Sequence, residues 1–279
     1  MKKFPIGFST TINEEPDINV PMEVCKGVIE PKRSVVQVYF PHRNMGWAYY
    51  NDSFDLKVGD FVYVEGKLEG YRGQVVEVNY SFKIKLSDYK RVISVVDTSV
   101  KGDIYLAGTH LVSFDESAIP FSKVVSWFMA PEGDDEYEIG NDDASSFPLN
   151  DLSQMKISQS QAESGKDCYS NNGIVYLELN KTHGRAIAQG SEYYVIEFDY
   201  ANDGPGYENV EISNIKCSCF CSGACKHEFA AMLQLKETLE FIFDNYENEY
   251  NGYFAAVSKG VFMNTVMSKR TSGKISFEV

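Results

Sequence analysis

The chain has 279 residues, 26 of them Lys or Arg and 40 Asp or Glu, for a formal net charge of −14. Acidity of that size argues against uniform coating of nucleic acid, and a composition 43% hydrophobic and 14% aromatic excludes a disordered or low-complexity chain. Apolar runs such as residues 124–130 fall far short of the roughly 18 to 20 residues that cross a bilayer. Residues 4–11 hold Pro, Gly, Ser and Thr in place of an apolar leader core, so a cytoplasmic chain with no membrane partner is expected, built as one large domain or two small ones.

The charge is unevenly placed. Residues 20–101 carry 12 basic and 10 acidic side chains, net +2, whereas residues 102–279 carry 12 and 27, net −15. The first of these regions reads as short strands: VVQVYF, WAYY, DFVYVEG, GQVVEV, FKIKL and RVISVV. Apolar and polar residues alternate through Asp60-Phe61-Val62-Tyr63-Val64-Glu65, and Gly59, Gly66, Gly70 and Gly73 punctuate the runs. Strands this short and closely spaced predict a small β-barrel of SH3-like or OB-like size over residues 20–101.

Aromatic residues in this region interleave with Arg and Lys. Such a pattern suits base stacking and phosphate attraction, and suits equally a barrel filled by its aromatics and solvated by its bases. Arg43, Lys67, Arg72 and Lys83 are the candidate nucleic-acid contacts, with Trp47 and Tyr71 as stacking partners. Arg43, in His42-Arg43-Asn44, and Arg72, in Gly70-Tyr71-Arg72-Gly73, lie in turns, where binding side chains tend to be exposed. The segment KVGDFVYVEGKLEGYRGQVVEV, with VQVYFPHRNMGWAYY before it, distantly resembles the N-terminal DNA-binding barrel of primosomal helicases. That resemblance implies DNA or RNA as a partner of the barrel.

Residues 102–150 read as a connecting segment. Its densest part, Glu132, Asp134, Asp135, Glu136, Glu138, Asp142 and Asp143, contains no base and lacks the D-x-D-x-D-G frame of a calcium loop, so it reads as an acidic linker. Residues 151–279 then form the second expected domain.

Six cysteines occur, at 25, 168, 217, 219, 221 and 225. Cys25 and Cys168 stand alone and read as small buried apolar residues. The other four fall within nine residues, too close to pair freely, and read as a metal site before a disulfide framework. Residues two apart on a strand share a face, so Cys217 and Cys219 can aim two thiolates at one ion. A Ser222-Gly223-Ala224 turn reverses the chain, and Cys225 and His227 follow where an apolar-periodic helix begins with Phe229, Met232, Leu233 and Leu235. Cys217, Cys219, Cys225 and His227 thus make a Cys₃His set suited to tetrahedral zinc. Cys219-Phe-Cys221 is a second C-x-C, so Cys221 is an alternative to Cys217.

The pattern C-x-C, spacer, C-x-H running into a helix resembles the SWIM zinc finger, here with a short spacer of five residues after Cys219. Upstream, Gly165-Lys-Asp-Cys-Tyr, Gly173-Ile-Val-Tyr-Leu, Arg185-Ala-Ile-Ala-Gln-Gly-Ser and Tyr194-Val-Ile-Glu-Phe resemble the strand meander that precedes the finger in bacterial SWIM proteins of the Snf2-helicase-associated group. The expected fold is therefore α+β: a barrel, a β-meander leading into a strand–knuckle–helix finger, and C-terminal helices. The resemblance implies contacts with DNA or with a protein such as a helicase or ATPase.

Four protein ligands leave zinc no open position, so the ion is expected to be structural. The sequence contains no G-x-x-x-x-G-K-[ST], G-x-S-x-G, H-E-x-x-H or G-x-G-x-x-G, and a chain without catalytic residues is expected. Two functions fit: a nucleic-acid-associated zinc module, or a protein-interaction adaptor of a helicase-like assembly with no direct nucleic-acid contact.

Overall fold

The computed structural model describes residues 6–8, 33–130, 146–266 and 275–277, except for 84, 86, 87, 101–103, 108, 109, 115–117, 203, 205, 220, 222, 248 and 249. Five strands near the N-terminus form one antiparallel sheet: β2 (Ser34–Phe40), β3 (Met45–Asn51), β4 (Phe61–Val64), β5 (Gly73–Asn79) and β6 (Val92–Val95), in the order β3-β2-β5-β4-β6. Period-two alternation in β2 turns Val36, Val38 and Phe40 inward and leaves Gln37 exposed. These three pack with Tyr49, Leu56, Val62, Val64 and Val75. Gly73 is required where it stands, because a Cβ there would run into Val38 and the Phe40 ring.

The expected barrel is not closed. Among the described residues, β3 and the segment entering β6 meet at one isolated parallel bridge, between Tyr50 and Arg91, where a barrel needs a continuous ladder. The four residues of β4 are all buried. Val62 and Val64 face the small sheet's own core, while Phe61 and Tyr63 face the rest of the molecule and are buried there. The second apolar face is covered by another layer.

The second layer belongs to a ten-stranded antiparallel sheet. Its strands are β1 (Ile6–Phe8), β7 (Ile104–Ala107), β8 (Leu111–Phe114), β9 (Phe147–Pro148), β10 (Ile174–Asn180), β11 (His183–Gln189), β12 (Tyr193–Asn202), β13 (Val210–Cys217), β14 (Tyr253–Ser258) and β15 (Ile275–Phe277). Their order is β15-β1-β7-β8-β14-β10-β11-β12-β13-β9. Residues 102–150, read from sequence as a connection, thus supply β7, β8 and β9 together with helix α1 (Phe121–Phe128). The acidic run 132–143 lies outside the described residues.

Both faces of the large sheet are covered. On one face, Leu177, Leu179, Ala186, Ile196 and Phe198 pack under α2 (Gln159–Ser170) and α3 (Lys226–Tyr246). On the other, Tyr176, Ile187, Ala255 and Val257 pack with α1 and with Phe61 and Tyr63 of β4. Three polar contacts fix that second layer: Trp127 Nε1 donates to Asp97 O at 2.7 Å, Tyr63 OH to Ser126 O at 3.0 Å, and Arg72 Nη1 to Thr265 Oγ1 at 3.1 Å. Two antiparallel sheets with helices laid on their faces agree with the expected mixture of α and β elements. Among the described residues, no helix is long and apolar enough to cross a membrane.

Gly184 on β11 sits under the Phe198 ring, and a Cβ there would lie far inside van der Waals contact with it. Both residues are buried, so the ring has nowhere to move. Gly184→Ala is expected to cost about 1–3 kcal/mol of stability, read as a lower urea midpoint with an unchanged slope; an unchanged midpoint would show that the ring has room to shift.

Candidate metal centre

The centre forms where β13 ends and α3 begins. Cys217 is the last residue of β13, opposite Ile196 of β12. The next residue ties the strand end down twice: Ser218 N donates to Val195 O at 2.9 Å, and Val195 N donates to Ser218 Oγ at 2.9 Å. The chain then turns, with Gly223 at φ 124°, a conformation that needs glycine. Cys225 is the N-cap of α3, and its capping box is reciprocal. Cys225 N donates to Glu228 Oε2 at 2.9 Å, and the Glu228 N–H donates to the Cys225 sulfur.

A further helix-start donor is satisfied from outside the helix. Lys226 N donates to Gln161 Oε1 of α2 at 3.2 Å. Helix α2 comes this close because of Gly165, where a Cβ would lie 2.9 Å from the Lys226 carbonyl oxygen and 2.9 Å from the Phe229 ring. His227 is clamped by the Tyr194 ring, stacked on it at 4.3 Å and 21°.

These supports bring four side chains to one point. The sulfurs of Cys217, Cys219 and Cys225 and a His227 ring nitrogen all lie within 4.8 Å of one another. His227 Nδ1 is 3.9 Å from both the Cys217 and the Cys225 sulfur. Bond lengths of about 2.3 Å to sulfur and 2.0–2.1 Å to nitrogen place the corners of a tetrahedral zinc site about 3.6–3.8 Å apart, so the donor set is close to the size that zinc needs. Cys217, Cys225 and His227 are buried and Cys219 is half-buried. The other ring nitrogen, Nε2, is buried without a hydrogen-bond partner, which leaves Nδ1 as the atom aimed at the sulfurs. Cys221 is exposed and outside the converging set.

The electrostatics match a site for a cation. The Cys225 thiol is drawn down to about 4 by hydrogen bonds from Cys217, from His227 and from the Glu228 N–H, against the effect of its burial. Its charge and hydrogen bond, with burial, push Cys217 up, while burial pushes Cys219 up to about 12. Backbone N–H groups are also directed at sulfur, from Cys219 to Cys217 and from Cys221 to Cys219. A metal ion takes thiolate ligands, so its binding here would displace thiol protons.

The residues expected to contact nucleic acid are divided by the fold. Arg43 is exposed, in the single helical turn Pro41–Arg43 that joins β2 to β3, and its guanidinium carbon is 5.5 Å from the Tyr71 ring centre. Tyr71, 40% exposed, stacks on His42 at 4.3 Å and 22°. Trp47 is 57% exposed on β3, with its Nε1 donating to Met45 Sδ at 3.2 Å. Lys67 and Lys83 are exposed. Arg72 does not belong with them. It is half-buried, its guanidinium carbon lies 4.6 Å over the Phe61 ring, and its bond to Thr265 spends it on the junction between the sheets. A turn sequence predicts exposure, and Gly70 and Tyr71 are exposed, but the Arg72 side chain is directed to Thr265 in the helical segment Phe262–Val266. His42 was not among the expected contacts; its position inside the Pro-His-Arg turn is the signal that could have shown it.

Comparison with known proteins adds no relative: no family model matches the chain, and no curated protein and no solved structure matches it. The centre rests on its own donor chemistry. One zinc per chain is the expected result of elemental analysis, with Cys217→Ser, Cys219→Ser, Cys225→Ser and His227→Ala each losing most of it, and Cys221→Ser and Cys168→Ser retaining it. Loss in Cys221→Ser with retention in Cys217→Ser would move the ligand role to the second C-x-C.

Proposed function

We propose that the chain is a non-enzymatic, SWIM-type zinc module in which the metal is structural and the small sheet contacts nucleic acid. The observation that supports the zinc reading is the convergence of three thiols and one imidazole at the junction of β13 and α3. Four protein donors saturate a tetrahedral ion and leave no position for water or substrate. The ion's work is then mechanical: it joins a strand end to a helix start. Removing zinc should lower the unfolding midpoint reversibly, by an amount equivalent to about 4 kcal/mol when free zinc stands at a thousand times its dissociation constant, and Cys225→Ser should show no such response. Loss of a hydrolytic activity on chelation, with the fold intact, would overturn the structural role.

For nucleic acid, the supporting features are the exposed rings of Tyr71 and His42 beside the Arg43 guanidinium and the exposed Trp47 ring on β3, in residues 20–101, whose net charge is positive. Burial and the charge of Arg43 lower the His42 pKa, so that ring is neutral at pH 7 and offers a stacking face instead of a charge. With Arg72 diverted, Arg43, Lys67 and Lys83 remain of the four candidate phosphate contacts. Binding should be weak and fall with salt by only about 0.7–0.9 log units per phosphate contact per log unit of salt. Trp47→Ala with Tyr71→Ala should weaken binding by about 1–3 kcal/mol for each base unstacked, measured by anisotropy on the full chain.

The second reading is the protein-interaction adaptor, docked to a helicase-like ATPase. It is favoured by the surface of α3, where Glu240, Asp244 and Glu247 outnumber Lys226 and Lys236, while Glu237 accepts from Tyr169 of α2. Glu228 does not count toward that surface, because it is buried in the capping box. Absence of nucleic-acid binding at low salt would leave this reading in place of the first.

A further inference from the structure

Cys219 and Cys221 differ from the other thiols near the metal centre. Cys217, Cys225 and His227 are buried, whereas Cys219 is the one donor of the four that is only half-buried. Cys221 is a free, exposed thiol two residues away and takes no part in the converging set. Its backbone N–H is turned onto the Cys219 sulfur, so the step from one cysteine to the next is folded back. Two residues of fully extended chain span at most about 7 Å, which is also the longest Cα separation a disulfide bridges without backbone movement. A folded step is shorter. Cys168, the other described thiol outside the donor set, is packed under a turn, where a Cβ at Gly173 would lie 2.5 Å from its sulfur.

We infer that Cys219 and Cys221 are a modification site for peroxides, and that their oxidation opens the metal centre. The inference rests on the reading of the four donors as a zinc site. The sulfur of Cys219 attacks one peroxide oxygen, the O–O bond breaks, and a sulfenic acid and hydroxide result. The sulfur of Cys221 then attacks the Cys219 sulfur, the S–S bond forms, the S–O bond breaks, and the departing hydroxyl leaves as water with the Cys221 thiol proton. Two electrons pass from the two sulfurs to the peroxide, and solvent protonates the hydroxide. Zinc is left with Cys217, Cys225 and His227, three donors for an ion that its structural sites hold with four. The strand end and the helix start then lose their common anchor, and reduction by a dithiol restores it. Cys221 sets the outcome because a tethered thiol captures the sulfenic acid in an effectively unimolecular step before a second peroxide carries Cys219 on to the irreversible sulfinate.

The test uses the full chain loaded with zinc and titrated with hydrogen peroxide. Zinc release is followed with a chromogenic chelator, and thiols are mapped by alkylation and mass spectrometry. Expected for the native chain is release of one zinc, a loss of 2 Da confined to the peptide carrying Cys219 and Cys221, alkylation of Cys217 and Cys225, and full zinc uptake after dithiothreitol. For Cys221→Ser the expectation is zinc release with Cys219 driven to sulfinate, and uptake after dithiothreitol reduced about tenfold or more. Cys168→Ser should match the native chain. The proposal is overturned if Cys221 remains open to alkylation in the zinc-free product, or if Cys221→Ser recovers zinc as the native chain does. A chain that takes up no zinc before peroxide is added would instead remove the metal reading itself, and this inference with it.

Discussion

One crossing organises the C-terminal two-thirds of the molecule: the end of β13 against the start of α3. A strand end and a helix start both present unsatisfied backbone groups, and here each is dealt with locally. Ser218 returns two hydrogen bonds to Val195, the Cys225–Glu228 capping box closes on itself, and Gln161 takes the Lys226 N–H. With the backbone satisfied in this way, the side chains of Cys217, Cys225 and His227 are free to face one another. They do so in a buried place where thiolate charge is costly unless a cation shares it. The metal centre is therefore a consequence of how two element ends are capped.

That crossing also explains the placement of α2. Its close approach at Gly165 leaves no room for a Cβ against the Lys226 carbonyl, so the helix is held at the mouth of the centre. Together α2 and α3 cover one face of the large sheet, and the opposite face is left for α1 and β4. The two layers are linked through strands buried on both sides, β10 above all, whose Leu177 and Leu179 face the helices while Tyr176 faces α1 and donates to Ile119 O at 3.2 Å.

The small sheet shows the same logic on a smaller scale. Its inner residues would suffice for a barrel, but Phe61 and Tyr63 give β4 a second apolar face, and burying that face against α1 removes about 25 cal/mol for each Å² taken from water. Arg72 follows the two rings to the junction and is lost to the outer surface, which leaves the His42, Arg43 and Tyr71 stack, with Trp47 on the neighbouring strand, as the exposed aromatic group of this sheet.

Local pattern was enough to bring Cys219, Cys225 and His227 together with a C-x-C partner, because each candidate donor follows from position: a same-face pair at a strand end, then a cap and a first-turn residue of a helix. The β-meander after residue 173 and the alternation of the N-terminal strands were legible for the same reason, since burial of one face writes a period of two into the chain. What the sequence could not show was which distant surfaces meet. Residues 102–150 read as a connection because their strands are short and their pairing partners lie far away, β14 for β8 among them. Arg72 read as an exposed turn residue because nothing near it in sequence announces Thr265, 193 positions away. The choice of Cys217 over Cys221 is of the same kind. Both satisfy the spacing, and only the pairing of β13 with β12, which fixes where the strand ends, brings one of them to the imidazole and leaves the other in solvent.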